Sequence, residues 1–395
     1  MMLLGSLSLG ISSYAAAAPD PDLERPCFNQ PCKGDLIDIK HADSTYAKLS
    51  AIEDVESVFY TANVRHSQAL RAHISSLENY FLSKTSISVL DKHGLLVMTN
   101  NSSFALANLM SFYVSYAAAS KIRDESLAYN HKIKVNITDF NGDYSGPLFQ
   151  ALVQSNFLLG PDESVQVVNS DEPVPNHKAR LIGNDWLNTS ATKNIVTDFE
   201  IPLSDLMYYG LNEGDATATS LLLYKFLDGE NDLEQFLKSK GVTLKHLDSS
   251  KSLAYRYALS TYDNAKLLSS LINDRSLQIE LKDMMLQAMR FAPRSQGAFS
   301  EGIKRALTHR VDMQEKFGDL KIFDLNCTQK DSEHSISASS LAYIEFLGEP
   351  YIISIHIYKI APSHKSSEQV PQELLDKLGF MLFDHILKDH LPTKT

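Results

Sequence analysis

The chain has 395 residues, 44% hydrophobic and 22% charged, a globular composition that excludes a disordered, collagen-like or coiled-coil protein. Its formal net charge of -11, with no basic run beyond pairs such as Lys304-Arg305, opposes polyanions and excludes a nucleic-acid partner. Three cysteines without C-x-x-C spacing and thirteen histidines without an H-E-x-x-H pattern argue against a metal site, and nothing in the chain asks for a cofactor.

In chain order, residues 1–18 are apolar and uncharged and end in Ala15-Ala16-Ala17-Ala18 before Pro19, the h-region and small-residue cleavage site of a secretory signal, without the Lys/Arg that usually opens one. That reading implies export, to a periplasm or beyond. In an oxidising compartment Cys27 and Cys32 can close a small-loop disulfide; the alternative is two free thiols. Cys327 is left over and reads as a buried apolar thiol. Residues 19–65 have little periodicity and read as an N-terminal extension to a domain over 66–395, which carries an irregular insertion near 124–198 broken by Pro161, Pro173 and Pro175.

Leu70, Ile74, Leu77 and Phe81 form the stripe of an amphipathic helix. Residues 85–90 and 95–99 read as two strands around the turn Asp91-Lys92-His93-Gly94. Residues 104–122 carry one charge, Lys121, and are long enough to cross a bilayer, but Asn108, Ser111, Ser115 and Ser120 interrupt them. They read as the central helix of a soluble domain, which leaves the mature chain without a transmembrane helix. Helical spacing returns over 202–209, 217–227, 232–238, 264–273 and 277–289, strands over 316–325, 339–346 and 351–359, and a closing helix over 372–391. The order predicts an α+β fold: an antiparallel sheet built from both chain ends, packed beside a mostly helical domain.

The run Gly214-Asp215-Ala216-Thr217-Ala218-Thr219-Ser220-Leu221-Leu222-Leu223 resembles the S-D-N-T-A-T-N-L-L-L helix start of class A β-lactamases and penicillin-binding proteins, and Phe236-Leu237-Lys238-Ser239-Lys240-Gly241 is similar to a later segment of that family. The resemblance covers about residues 65–390 and implies a serine hydrolase of β-lactamase/DD-peptidase-like fold. Such chemistry needs a nucleophilic Ser with a Lys one helical turn later, a second motif with Ser and Asn, and a K-[ST]-G strand. By the resemblance, Asn108 stands where the nucleophile belongs and Ser111 where the Lys belongs. An amide cannot form an acyl-enzyme. Gly214 and Ala216 replace the Ser and Asn of the second motif, leaving Asp215, whose expected work is to cap the helix that follows. Lys316-Phe317-Gly318 aligns with the third motif, where Lys316 either attracts an anion or pairs with an acid such as Asp215, and Asp319 follows where an oxyanion N–H is expected. No Glu lies between Gly241 and Asp263 to activate a deacylating water.

The leading expectation is therefore an exported β-lactamase-like protein, catalytically impaired, whose cleft takes a peptidoglycan- or β-lactam-like ligand or a protein partner. One alternative is an active serine β-lactamase or peptidoglycan DD-peptidase using Ser190 and Lys193, the S-x-x-K of the mature chain, although that match has no strand-to-helix context. Another is a secreted interaction protein acting through residues 19–65 or 124–198.

Overall fold

The computed structural model describes residues 36–51, 58–62, 64–100, 102–140, 146–154, 198–247, 252–290, 297–310, 318–332, 335–360 and 369–390. The signal segment, Cys27, Cys32, Ser190, Lys193, Lys316 and Phe317 lie outside them.

A six-stranded antiparallel sheet joins the two chain ends. Its strands are β1 (Phe59–Thr61), β2 (Lys84–Asp91), β3 (Gly94–Thr99), β9 (Leu320–Ser332), β10 (Ser335–Phe346) and β11 (Glu349–Ile360), in the order β1-β3-β2-β11-β10-β9. Two tight hairpins set the register. At the first, Gly94 has φ +117°, and a Cβ built there would stand 2.9 Å from the Ala42 amide, so only glycine fits. At the second, Leu347 (φ 54°) and Gly348 (φ 76°) both lie in the left-handed region that two-residue hairpins require.

Both faces of the sheet are covered, which is why β10 and β11 are buried along nearly their whole described length. On one face Ile322, Ile344, Phe346, Ile353, Ile355 and Ile357 form a core with α2 (Val64–Phe81), α11 (Ala298–Thr308) and α12 (Gln369–His390). The last two helices cross at Gly302 and Gly379. A Cβ at Gly302 would overlap the Asp376 carbonyl, and one at Gly379 the Phe299 carbonyl.

On the other face Phe323, Leu325, Cys327, Leu341, Tyr343 and Ile352 join the helical half of the molecule. At its centre lies α3 (Met110–Asp124), with 12 of its 15 residues buried. Around it stand α5 (Leu203–Tyr208), α6 (Ala216–Leu221), α7 (Glu230–Ser239), α9 (Thr261–Asn273) and α10 (Ile279–Arg290). Among the described residues no helix is long and apolar enough to cross a membrane, and α3 is apolar on all sides because protein surrounds it.

The expected α+β layout is the one observed. Three differences matter. Residues 36–61, read as an extension, add β1 and a helix, α1 (Ile39–Ser50), to the domain: Ile37 and Ala42 are fully buried, and Asn273 accepts the Leu36 and Ile37 amides at 3.0 and 3.3 Å. The irregular region supplies β5 (Lys132–Asn136), paired with β6 (Asp198–Pro202), and α4 (Pro147–Gln154). The strand expected over 316–325 begins at Leu320 and runs to Ser332.

Candidate active site

The chain enters the centre of the molecule through β4 (Ser103–Ala105), which pairs with β8 (Tyr257–Ser260), and Leu106 N–H donates to Tyr257 O at 3.0 Å. Ala107 then takes φ 47°, a conformation that costs a non-glycine residue about 1–3 kcal/mol and persists only where the surroundings impose it. A 3-10 turn over Ala107–Leu109 leads directly into α3. Asn108 stands at this strained strand-to-helix junction, half-buried. Ser111, one turn on and 4% exposed, donates its hydroxyl to Asn108 O at 2.7 Å. Neither group supplies a cation or a basic nitrogen.

The second motif packs against the same helix. A wide π turn over Tyr209–Glu213 ends at Gly214, which has φ 63°, and Asp215 caps α6. Asp215 is 3% exposed; one carboxylate oxygen accepts Ala218 N–H at 2.8 Å and the other accepts Leu148 N–H at 2.8 Å. It therefore caps one helix and ties α4 to it. Ala216 is exposed and presents only a methyl group. Gly210 comes close to the start of α3, since a Cβ there would lie 3.7 Å from the Ser111 Cβ and 3.1 Å from the Thr219 hydroxyl.

On the sheet side it is Cys327 that faces Asn108. Cys327 is 6% exposed; Ser339 is its register partner on β10, and polar groups of Ser339, Asn108 and Leu109 near the sulfur favour its thiolate. Burial nevertheless prevails and pushes the thiol above its ordinary pKa. Gly318 and Asp319 are exposed at the other end of β9, where Asp319 O accepts Leu347 N–H at 3.3 Å. Cys327 lies seven residue steps beyond Leu320, about 23 Å at roughly 3.3 Å per residue, so the structure does not bring Gly318 or Asp319 to Asn108.

Sequence reasoning missed the rest of this wall. Cys327, Ser339, His356 and Ser86 are successive register partners across β9, β10, β11 and β2, and so form one polar row. The Ser339 hydroxyl and His356 Nδ1 are 2.6 Å apart. Burial drives the His356 pKa down to about 3, leaving a neutral ring at neutral pH, and the ring stacks on Phe104 at 3.9 Å. Ser86 donates to Asn100 O at 2.6 Å and shares a 2.9 Å hydrogen bond with Thr261 on α9.

Among the acids that follow the second motif, Glu230 lies at the start of α7. It receives Tyr224 at 2.7 Å together with Tyr257 and Arg256. Burial opposes ionisation, but these donors win and hold the carboxyl below its ordinary pKa. A carboxylate bound this way is a structural tie with little capacity to activate water. Among the described residues no group of His, Cys, Asp and Glu could hold a metal ion.

A profile of the "Beta-lactamase enzyme family" matches residues 170–385. The chain belongs to this family. No curated protein sequence matches it. Among solved structures it is similar to a class A β-lactamase from Bacteroides cellulosilyticus, at 15% identity and TM-score 0.56 over 80% of this chain and 98% of that one. It is also similar to the TLA-3 extended-spectrum β-lactamase (13%, 0.55, 80% and 99%) and to a β-lactamase from Burkholderia vietnamiensis (12%, 0.56, 82% and 99%). At such identities the likeness concerns the fold. The sheet made from both chain ends and the helical half beside it are thus the β-lactamase architecture, and the junction before α3 lies where the two meet.

Proposed function

We propose that this family member is an exported protein that has lost acyl transfer by the serine–lysine route and keeps its cleft as a binding surface for a peptidoglycan- or β-lactam-like ligand or for a protein partner. The observation that carries the reading is the pair Asn108 and Ser111 at the strained start of α3. An amide nitrogen is not a nucleophile at neutral pH, and a serine bonded to a backbone carbonyl offers no base to take up a proton. Gly214 and Ala216 remove two further polar side chains, and the only acid of the second motif is occupied by backbone N–H groups. Export rests on the character of residues 1–18.

The test is direct. Purified protein incubated with a fluorescent penicillin should carry no covalent adduct by intact mass, and nitrocefin should not turn over. An adduct mapped to any serine would refute the proposal and restore the hydrolase reading. Cell fractionation checks the location, since a purely cytoplasmic distribution contradicts export.

A further inference from the structure

We infer that the sheet carries a built hydration site beneath α11, where one water molecule bridges Asn326 Oδ1 and Ser340 Oγ and completes a buried polar chain that starts at Asp324. The site lies on the face of the sheet away from α3, so it stands whether or not the cleft acylates.

Strand residues alternate between the two faces of a sheet. On β9, Phe323, Leu325 and Cys327 pack toward the helical half, so Asp324 and Asn326 share the opposite face with Ile322. On β10, Leu341 and Tyr343 likewise face the helical half, which puts Ser340 on the α11 and α12 side with Ala338, Ala342 and Ile344. Asn326 and Ser340 are register partners, a pairing that holds their Cβ atoms about 5 Å apart. Both are buried, at 9% and 0% exposed, as is Asp324 at 3%. From α11, Ser300 and Lys304 favour the Asp324 carboxylate, against the burial that pushes its pKa up. Asn326 Nδ2 donates to Asp324 Oδ2 at 2.9 Å, which fixes the amide with Oδ1 turned away from the carboxylate. Asn326 Oδ1 and Ser340 Oγ then meet no protein partner, whereas native proteins satisfy nearly all such atoms with protein or with water. The chemistry selects water. An amide oxygen only accepts and a hydroxyl has one proton to donate, so a water molecule donates to the first and accepts from the second. A metal cation would leave the hydroxyl proton without an acceptor, and it would find two neutral oxygens where calcium takes about six to eight. Ala338 and Ala342, the neighbours of Ser340 on that face, present no more than a methyl group each.

A high-resolution crystal structure of the full chain tests this directly. One water should lie within about 3.2 Å of both Asn326 Oδ1 and Ser340 Oγ. A direct Ser340–Asn326 hydrogen bond with no density between them, or a peak ringed by oxygens at cation distances of about 2.3–2.6 Å, would overturn the inference. Urea unfolding gives an independent readout. With the water in place, Ser340→Ala breaks a satisfied hydrogen bond and should lower the folding equilibrium constant about fivefold, whereas a hydroxyl with no partner would cost nothing to remove. Asn326→Ala and Ser340→Ala combined should show coupling of about threefold or more, because either change alone already loosens the shared water. A neutral or stabilising Ser340→Ala, or strict additivity of the pair, would sink the bridge. Should Asn326→Ala not fold, the wild-type crystal structure and Ser340→Ala alone still decide.

Discussion

Replacing Asp215 by alanine separates a structural residue from a catalytic remnant. Its two carboxylate oxygens each accept one backbone N–H at 2.8 Å, from Ala218 and from Leu148, in surroundings that leave 3% of the residue exposed. Hydrogen bonds to a charged acceptor contribute about 1.5–3 kcal/mol each, and their loss strands two buried donors, so the Ala variant should lose about 3–4 kcal/mol of folding stability. Asp215→Asn keeps one acceptor but turns an amide NH₂ toward the other N–H, and should lose about half as much. The Thr219 hydroxyl bonds the Asp215 backbone oxygen at 3.0 Å and survives either change. Urea unfolding reports the loss as a lower midpoint at unchanged slope. A loss below about 1 kcal/mol in the Ala variant, or a binding defect with stability intact, would refute the assignment.

Two other substitutions probe the packing and the polar row. Gly302→Ala or Gly379→Ala places a methyl group onto a backbone carbonyl of the facing helix, so each should cost about 3 kcal/mol in thermal or urea unfolding, while Gly318→Ala, with nothing near its Cβ, should be neutral. The His356 pKa of about 3 lies below its ordinary 6.5, so as pH falls the unfolded chain binds the proton first. Stability from this group is complete above about pH 6.5 and declines toward pH 3, with about 2 kcal/mol gone by pH 5. His356→Gln should flatten that part of the stability–pH curve; an unchanged slope would show that other groups set it.

Much of the fold is legible in the sequence because its signals are local. The stripe Leu70, Ile74, Leu77, Phe81 and the turn at Gly94 each report their own geometry, and they lie in α2 and the β2–β3 hairpin as expected. The site was legible where a helix start carries it: Asp215 does cap α6, as its place before Thr217 implied. The third wall was less so. Of the Lys-x-Gly pattern at 316–318 only Gly318 lies among the described residues, at the end of β9 away from Asn108, because strand length is set by pairing with β10 and leaves no mark on any one tripeptide. A usable signal existed nonetheless. Starting from the Leu347-Gly348 turn, counting back along β10 and forward along β11 sets Ser339 opposite His356; Cys327 is not reached this way, because the β9–β10 register shifts between Ser335 and Ile336. Helix α11 escaped because Gly302, which periodicity treats as a weakness, is demanded by its crossing with α12.

The retained architecture and the proposed loss of acyl transfer have a common physical root in the charge of the cleft. Serine acylation with a lysine partner requires charges that form and vanish in a partly dry space, and it therefore needs an ammonium, a deprotonated hydroxyl and donors free to receive an oxyanion. Here the corresponding groups are an amide, a hydroxyl tied to a carbonyl, a thiol that keeps its proton and an imidazole held neutral. All four are neutral, and two of them, Cys327 and His356, belong to the row that seals the sheet against the helical half. Low dielectric strengthens bonds among satisfied neutral groups and penalises an isolated ion, so the seal becomes more stable as the cleft becomes less able to carry charge. An ammonium at Ser111 would enter a space already close to Gly210. The polar row that makes the junction compact is thus the same feature that opposes a catalytic ion pair there.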